Sequence, residues 1–303
     1  MPLQDNIAFR KIKLQTIAEN SRNRLDLLRL DLIHPVISGN KWFKLKLHLR
    51  QATHAGASGL LSFGGAYSNH IVATAYAAYT LGLRSVGIIR GEIGRAPSPS
   101  LEDARALGMK LYHVSRDDYR RKLDSPAIQA ILGQHPKLHV IPEGAADDTG
   151  MRGAAEIADC VPDFGSYDFI CCAIGTGTMM AGLVHAASEN QQVIGFSGFK
   201  NHFELGQLVE ALLPTEDRKK KFSFNHDFTF GGYGKSTPKL VAFMNRFYRE
   251  TGIPTDRVYS AKMLAGVTEL FNKSFFPAGA TILAIHCGGL QGNRSYPPGT
   301  LCF

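Results

Sequence analysis

The chain has 303 residues, 44% of them hydrophobic and 20% charged, with a formal net charge of +8 at pH 7. That balance excludes a disordered chain and supplies enough apolar material for one large or two moderate domains. The positive excess does not read as a nucleic-acid footprint. Arg120-Arg121-Lys122 and Arg218-Lys219-Lys220-Lys221 are short, scattered and not interleaved with stacking aromatics, so a solvated face that also attracts small anions explains them better.

Along the chain, the start Met1-Pro2-Leu3-Gln4-Asp5 does not read as a signal peptide, so no secretory leader is expected. No later stretch offers roughly 18 uninterrupted apolar residues, and Ile71 to Leu83 is too short to span a bilayer, so no membrane partner is expected. The first chemically telling segment is Ser38-Gly39-Asn40-Lys41-Trp42-Phe43-Lys44. A lysine after a Gly-Asn turn and before an apolar run is poorly placed for a solvated surface. It suits an amine that must be desolvated to react with a carbonyl, which makes Lys41 the candidate Schiff-base lysine. Alone, the segment reads more readily as an ordinary surface charge beside a glycine, and it is the loops downstream that turn the balance.

From residue 59 onward, short apolar runs alternate with glycine-marked turns and 3.6-periodic stretches, an α/β pattern. Leu60 to Phe63 reads as a strand, Asn69 to Leu81 as a helix closed by Gly82, and Val86 to Arg90 as a strand, one βαβ unit with a right-handed crossover. Ser98-Pro99 opens a helix ending near Gly108; Lys110 to Val114 and His139 to Pro142 read as strands, and Thr149 to Cys160 as a helix. A second block follows, with strands at Phe169–Ile174, Val193–Ser197 and Thr281–His286 and helices at Thr178–Ala187 and Thr237–Thr251. There is no internal repeat and no low-complexity linker.

Several loops carry chemistry. Gly64-Gly65-Ala66-Tyr67-Ser68-Asn69-His70 is a strand-to-helix elbow in which Ser68 or Asn69 serves as an ordinary N-cap, or places a hydroxyl, an amide and backbone donors around a carboxylate or a phenolate. Gly175-Thr176-Gly177-Thr178 follows an apolar strand and opens a helix, so its N–H groups form a phosphate cradle. A dinucleotide fold would want an acidic residue closing the next strand, and Val193-Ile194-Gly195-Phe196-Ser197-Gly198 closes on none, which favours a single phosphate. Gly231-Gly232-Tyr233-Gly234-Lys235 is a loop presenting a tyrosine, and Tyr259-Ser260 opens a further helix, where the tyrosine is a packing residue or a proton donor. Cys287-Gly288-Gly289 ends the last strand at an edge where parallel sheets meet ligands, though Cys287 could equally be inert core. Five cysteines, at 160, 171, 172, 287 and 302, form no CxxC pair and point to a reducing, cytoplasmic setting. His135 and His139 stand four apart around Pro136 at a strand start, and no metal site is expected.

In this order, the segments resemble the 1-aminocyclopropane-1-carboxylate deaminase and D-cysteine desulfhydrase family, of the tryptophan synthase β-like pyridoxal phosphate fold (type II). Ser38-Gly39-Asn40-Lys41 is similar to its Gly-Gly-Asn-Lys, Gly64 to Asn69 to its Gly-Gly-x-x-Ser-Asn, and Gly175 to Gly182 to its phosphate loop. The resemblance covers nearly the whole chain. It implies two open parallel-sheet domains with flanking helices, a large cofactor-binding one from 1–44 and 151–303 and a small inserted one at 45–150, assembled as a homodimer. It implies that Lys41 bonds the aldehyde of pyridoxal 5'-phosphate and that Lys44 contacts the phosphate with the loop at Gly175, Thr176, Gly177, Thr178 and Met179. Asn69 then holds the phenolic oxygen, Ser68 touches the substrate carboxylate or shuttles a proton, and Tyr233 and Tyr259 line the substrate face.

Three departures bear on the substrate. Deaminases of the family carry Glu directly after the second tyrosine, beside the pyridine nitrogen, where a carboxylate keeps that nitrogen protonated; here it is Ser260. His70 replaces the usual Gln, and Cys287 stands where Thr or Ser is common. The expected activity is elimination and deamination of a small amino acid, D-cysteine giving pyruvate, sulfide and ammonia. The alternatives are cyclopropane deamination to 2-oxobutyrate, racemase or dehydratase action, and a non-catalytic cofactor- or nucleotide-binding protein.

Overall fold

The computed structural model describes residues 7, 9–92, 97–200 and 204–303; the segment 1–5 read for a leader lies outside them. The chain opens with an antiparallel hairpin, β1 (Lys13–Glu19) and β2 (Arg24–Arg29). Asn20 closes it: its side-chain oxygen accepts from the amides of Arg22 and Asn23, both at 2.9 Å, an Asx turn. Helix α1 (Asn40–His54) follows and buries Trp42, Phe43, Leu45, Leu49 and Ala52.

The chain then builds a second layer from β3 (Gly59–Gly64), α2 (Asn69–Thr80), β4 (Arg84–Arg90), α3 (Pro99–Ala106) and β5 (Met109–Val114). Helices α4 (Arg116–Arg121) and α5 (Pro126–Gly133) lead to β6 (Leu138–Ile141). These strands form a four-stranded parallel sheet in the order β5-β4-β3-β6. Central β3 is buried along its whole length, which is why it reads as an apolar run broken only by Ser62, whose hydroxyl donates to Ile141 O at 2.9 Å.

From α6 (Asp148–Ala155) the chain returns to the first sheet. It adds β7 (Phe169–Ile174), α7 (Thr178–Ala186), β8 (Gln192–Ser197), α8 (Leu205–Leu212) and β9 (Lys221–Asn225). Then come α9 (Pro238–Thr251), α10 (Ser260–Asn272) and β10 (Thr281–His286). The order is β1-β2-β10-β7-β8-β9, so the last strand inserts between the hairpin and β7 and pairs in parallel with both.

The α/β architecture with parallel-rich sheets is the expected one, with informative differences. The β1–β2 pairing is antiparallel, and neither strand was read because their polar residues blur the apolar run. The helix expected over 149–160 stops at Ala155 and survives only as a 3₁₀ turn at Ala158–Cys160. Val161 precedes Pro162 and is extended at φ −110°, ψ 112°, as the proline ring demands of its neighbour. The expected domain limits, 44/45 and 150/151, fall inside α1 and α6.

Close backbone approach fixes where α1 begins. Gly39 has φ 65°, and a Cβ there would lie 1.8 Å from the Cys287 carbonyl oxygen. Gly39→Ala is therefore expected to lose at least about 3 kcal/mol of stability. A denaturant melt reads this directly; an unchanged midpoint would mean that the two segments are not in contact.

Candidate active site

A cavity of about 420 Å³ lies where the carboxyl ends of both sheets meet. Gly65 and Ala66 after β3, Arg90 closing β4, and Glu143 and Gly144 after β6 form one wall. Ala173 on β7, Gly175 and Thr176 beyond it, and Cys287 after β10 form the other.

Lys41 and Lys44 enter from the first turn of α1, three residues apart and so on one helical face, and both line the cavity. Lys41 Nζ donates to Asn40 Oδ1 at 2.7 Å, and Asn40 Nδ2 reaches Met179 Sδ at 3.2 Å, which ties the lysine turn to the start of α7. Burial lowers the Lys41 pKa, opposed in part by Cys287 and Asp256, which favours the nucleophilic amine relative to a solvated lysine. Lys44 is more extreme. Burial, then the neighbouring Lys41 ammonium, bring it down to about 7.

The loop before α7 is an open anion cradle. Gly177 has φ 81° and the helix has no side-chain cap. The buried first-turn amides of Thr178 and Met179 have no acceptor within the helix. Thr176 and Thr178 hydroxyls bond each other at 2.9 Å, and Thr178 Oγ1 donates to Gly144 O at 3.3 Å, bracing the loop against the other wall. Gly175 and Thr176 lie on the cavity wall; Gly177, Thr178 and Met179 stand behind it and can contribute only backbone amides.

The β3–α2 elbow behaves as its sequence suggests. Ser68 caps α2, accepting from the Ile71 amide at 3.2 Å, which leaves its own proton free. Asn69 spends one N–H on Gly289 O at 3.0 Å, and its buried Oδ1 has no partner. His70 bonds Ser62 Oγ at 2.8 Å; burial, then the Lys41 and Lys44 ammoniums, keep it neutral, with a pKa well below the usual imidazole range. Opposite, Tyr259 Oη donates to Tyr233 Oη at 3.2 Å, and burial followed by Tyr233 holds the Tyr259 phenol protonated. Cys287 lines the cavity as a thiol, pushed up to about 12 chiefly by burial.

The resemblance places Ser260 beside the cofactor's ring nitrogen. It is fully buried and off the cavity wall, and its hydroxyl donates to Asp256 Oδ1 at 2.8 Å while accepting from the Asp256 amide at 2.7 Å. The Asp256 carboxylate also takes the amides of Val258, Tyr259 and Ser260, so it caps α10. Sequence reasoning passed over Asp256, which stands three residues before the Tyr259 N-cap and so matches no capping pattern. It also passed over Arg90, Glu143 and Arg257, cavity residues that carry no local motif. The paired histidines do not converge: His135 Nε2 meets Tyr112 Oη at 2.8 Å, while His139 joins His48, which bonds Asp147.

The family model for pyridoxal-phosphate dependent enzymes matches residues 10–288. The chain belongs to that family. Its cofactor is pyridoxal phosphate, and the cavity fits it: a desolvated amine, a second buried cation, uncapped amides and an orphaned carboxamide oxygen surround one volume. Among relatives of this pyridoxal-phosphate dependent enzyme, a 1-aminocyclopropane-1-carboxylate deaminase of Rhizobium leguminosarum bv. viciae is 26% identical over 86% of the chain and 84% of the relative. A D-cysteine desulfhydrase of Yersinia pestis is 25% identical over 94% and 92%. The crystal structure of an ACC deaminase homologue shares the fold at a TM-score of 0.80, with 23% identity, over 96% of this chain and 94% of that one.

Two outcomes follow from the lysine pair. Lys41→Ala is expected to abolish the near-visible band that forms on adding pyridoxal phosphate; a yellow variant would remove its assignment. Lys44 has a folded pKa of about 7 against 10.5 when unfolded, so the unfolded chain holds more protons between these values. In cofactor-free protein this group makes the fold least stable below pH 7, a deficit relieved as pH rises towards 10.5. Lys44→Met should thus raise stability at pH 6, on the order of 1–4 kcal/mol, with a smaller gain at pH 10. An equal or inverted pH trend in thermal melts would contradict the buried charge.

Proposed function

We propose that the protein is a lyase acting on a small amino acid, converting D-cysteine and water to pyruvate, sulfide and ammonia. The observation that carries this is the scarcity of carboxylates at the site. Among the described residues Glu143 is the one acid on the cavity wall, and Lys122 Nζ pairs with it at 2.9 Å. Ser260, where deaminases of the family carry Glu, has its single proton committed to Asp256. Opening an unactivated cyclopropane asks for a deep electron sink, whereas expelling a thiol asks for less.

Pyridoxal phosphate, when bound, supplies an aldehyde that captures amines and a conjugated ring that accepts electrons as a bond at the substrate α-carbon breaks. In this reading Lys41 Nζ would hold the cofactor at rest and, once displaced by the substrate amine, would take up the α-proton, a task helped by its lowered pKa. Lys44 and the amides of Gly177, Thr178 and Met179 hold the phosphate, and Asn69 the phenolic oxygen. Ser68 Oγ and the first-turn amides of Asn69 and His70 orient the substrate carboxylate. Tyr233, whose oxygen accepts from Tyr259, keeps its own proton for the departing sulfur. All five cysteines are free, which supports a reducing, cytoplasmic setting, and a homodimer is part of the same proposal.

The expected result for the loaded enzyme is pyruvate and sulfide from D-cysteine at a higher kcat/KM than 2-oxobutyrate from 1-aminocyclopropane-1-carboxylate. The reverse order, in a side-by-side assay, would assign the cyclopropane reaction instead. Absence of turnover with either substrate and with a D- and L-amino-acid panel would leave a binding protein.

A further inference from the structure

Lys262 is a charged side chain for which the chemistry above has no use. It lies two residues into α10, is 2% exposed, and forms no ion pair with a carboxylate among the described residues. Its ammonium instead donates to two loop carbonyls, Gly232 O at 2.7 Å and Gly198 O at 3.5 Å. The residues that follow those two glycines are Phe199 and Tyr233, and their rings stack at 4.5 Å with planes 9° apart. Tyr233 then meets the edge of Tyr259 at 6.1 Å and shares the hydroxyl contact already described. One cation therefore sits at the root of two loops whose next residues form the aromatic wall of the cavity.

The loops need such a root. Gly231, Gly232 and Gly234 have φ of 95°, 106° and 64°, so this segment has few conformational restraints of its own and Tyr233 is 46% exposed. Its other fastenings are a Gly232 amide bond to Thr229 O, a Lys235 amide bond to Gly232 O and an Arg257 bond to Gly234 O. Of these, none reaches the Gly198 loop. The Lys262 ammonium hydrogen-bonds both segments, and a charge-assisted bond in a dry setting is stronger than a neutral one.

We propose that Lys262 is a positioning residue that clamps the Gly198 and Gly232 loops together, so that Phe199 and Tyr233 stack and the Tyr233 hydroxyl is held at the cavity. The consequence for turnover rests on the proposed function, in which Tyr233 meets substrate; the clamp itself does not.

The test compares holoenzyme carrying Lys262→Met with wild type, by hydrogen exchange and by steady-state kinetics. Exchange in residues 228–236 is expected to speed up about 10- to 100-fold, the loss of one charged hydrogen bond, while α9 and β10 stay protected. kcat should fall more than KM rises, because the Tyr233 proton is needed as the sulfur departs, and Lys262→Arg, which can donate to two carbonyls, should recover part of both. If the Met variant does not fold, Lys262→Gln, which keeps a donor without the charge, carries the same readouts with a smaller change. Unchanged protection of 228–236 in a folded Met or Gln variant would overturn the clamp. Faster exchange in a protein that turns over no amino acid would uphold the clamp and count against the proposed reaction instead.

Discussion

Two backbone segments 250 residues apart cross in direct contact, and the site depends on that crossing. The Asn40 amide donates to Cys287 O at 3.2 Å, and a Cβ on Gly288 would come within 2.7 Å of Gly39 Cα. Nothing larger than hydrogen fits at either position. Because the crossing stands at the carboxyl end of β10 and the amino end of α1, it puts Lys41 on one side and the Cys287 thiol on the other. Gly289 extends it, since a Cβ there would overlap the Asn69 amide at 2.3 Å. Strand, lysine helix and elbow of the second sheet thus lock at one point.

Once these elements converge, desolvation dictates the protonation states. Two lysines share a buried volume whose one wall carboxylate is already paired, so each ammonium is costly and the amine form gains. The same burial keeps His70 neutral and Cys287 a thiol. A dianionic phosphate held here, as proposed, would relieve the repulsion between the lysines and so couple cofactor affinity to protein stability. Asp256 adds a fixed negative charge from behind, spent on capping α10 and securing Ser260.

The far side of the cavity follows another logic. There, rings do the positioning: Phe199, Tyr233 and Tyr259 meet in sequence, and Gly175 lets the Tyr259 ring approach the phosphate loop, where a Cβ would sit 3.3 Å from it. Relatives named for two different reactions match this chain at similar identity, so likeness of this order does not by itself choose between the two substrates.

Local pattern fixed much of the scaffold. Buried strands such as Phe169–Ile174 and Thr281–His286 are continuous apolar runs, and their limits need no partner to be seen. Lys41, the Ser68 cap and the loop at 175–178 were legible for the same reason: each is a short segment whose chemistry lies in adjacent residues. What adjacency cannot encode is what stands opposite. That Thr281–His286 would insert between a hairpin and β7, and that Lys262 would join two distant loops, both depend on long-range packing. Hydrophobic period and turn chemistry act over a few residues, whereas desolvation and close backbone contact act through space, and only the folded chain brings those partners together.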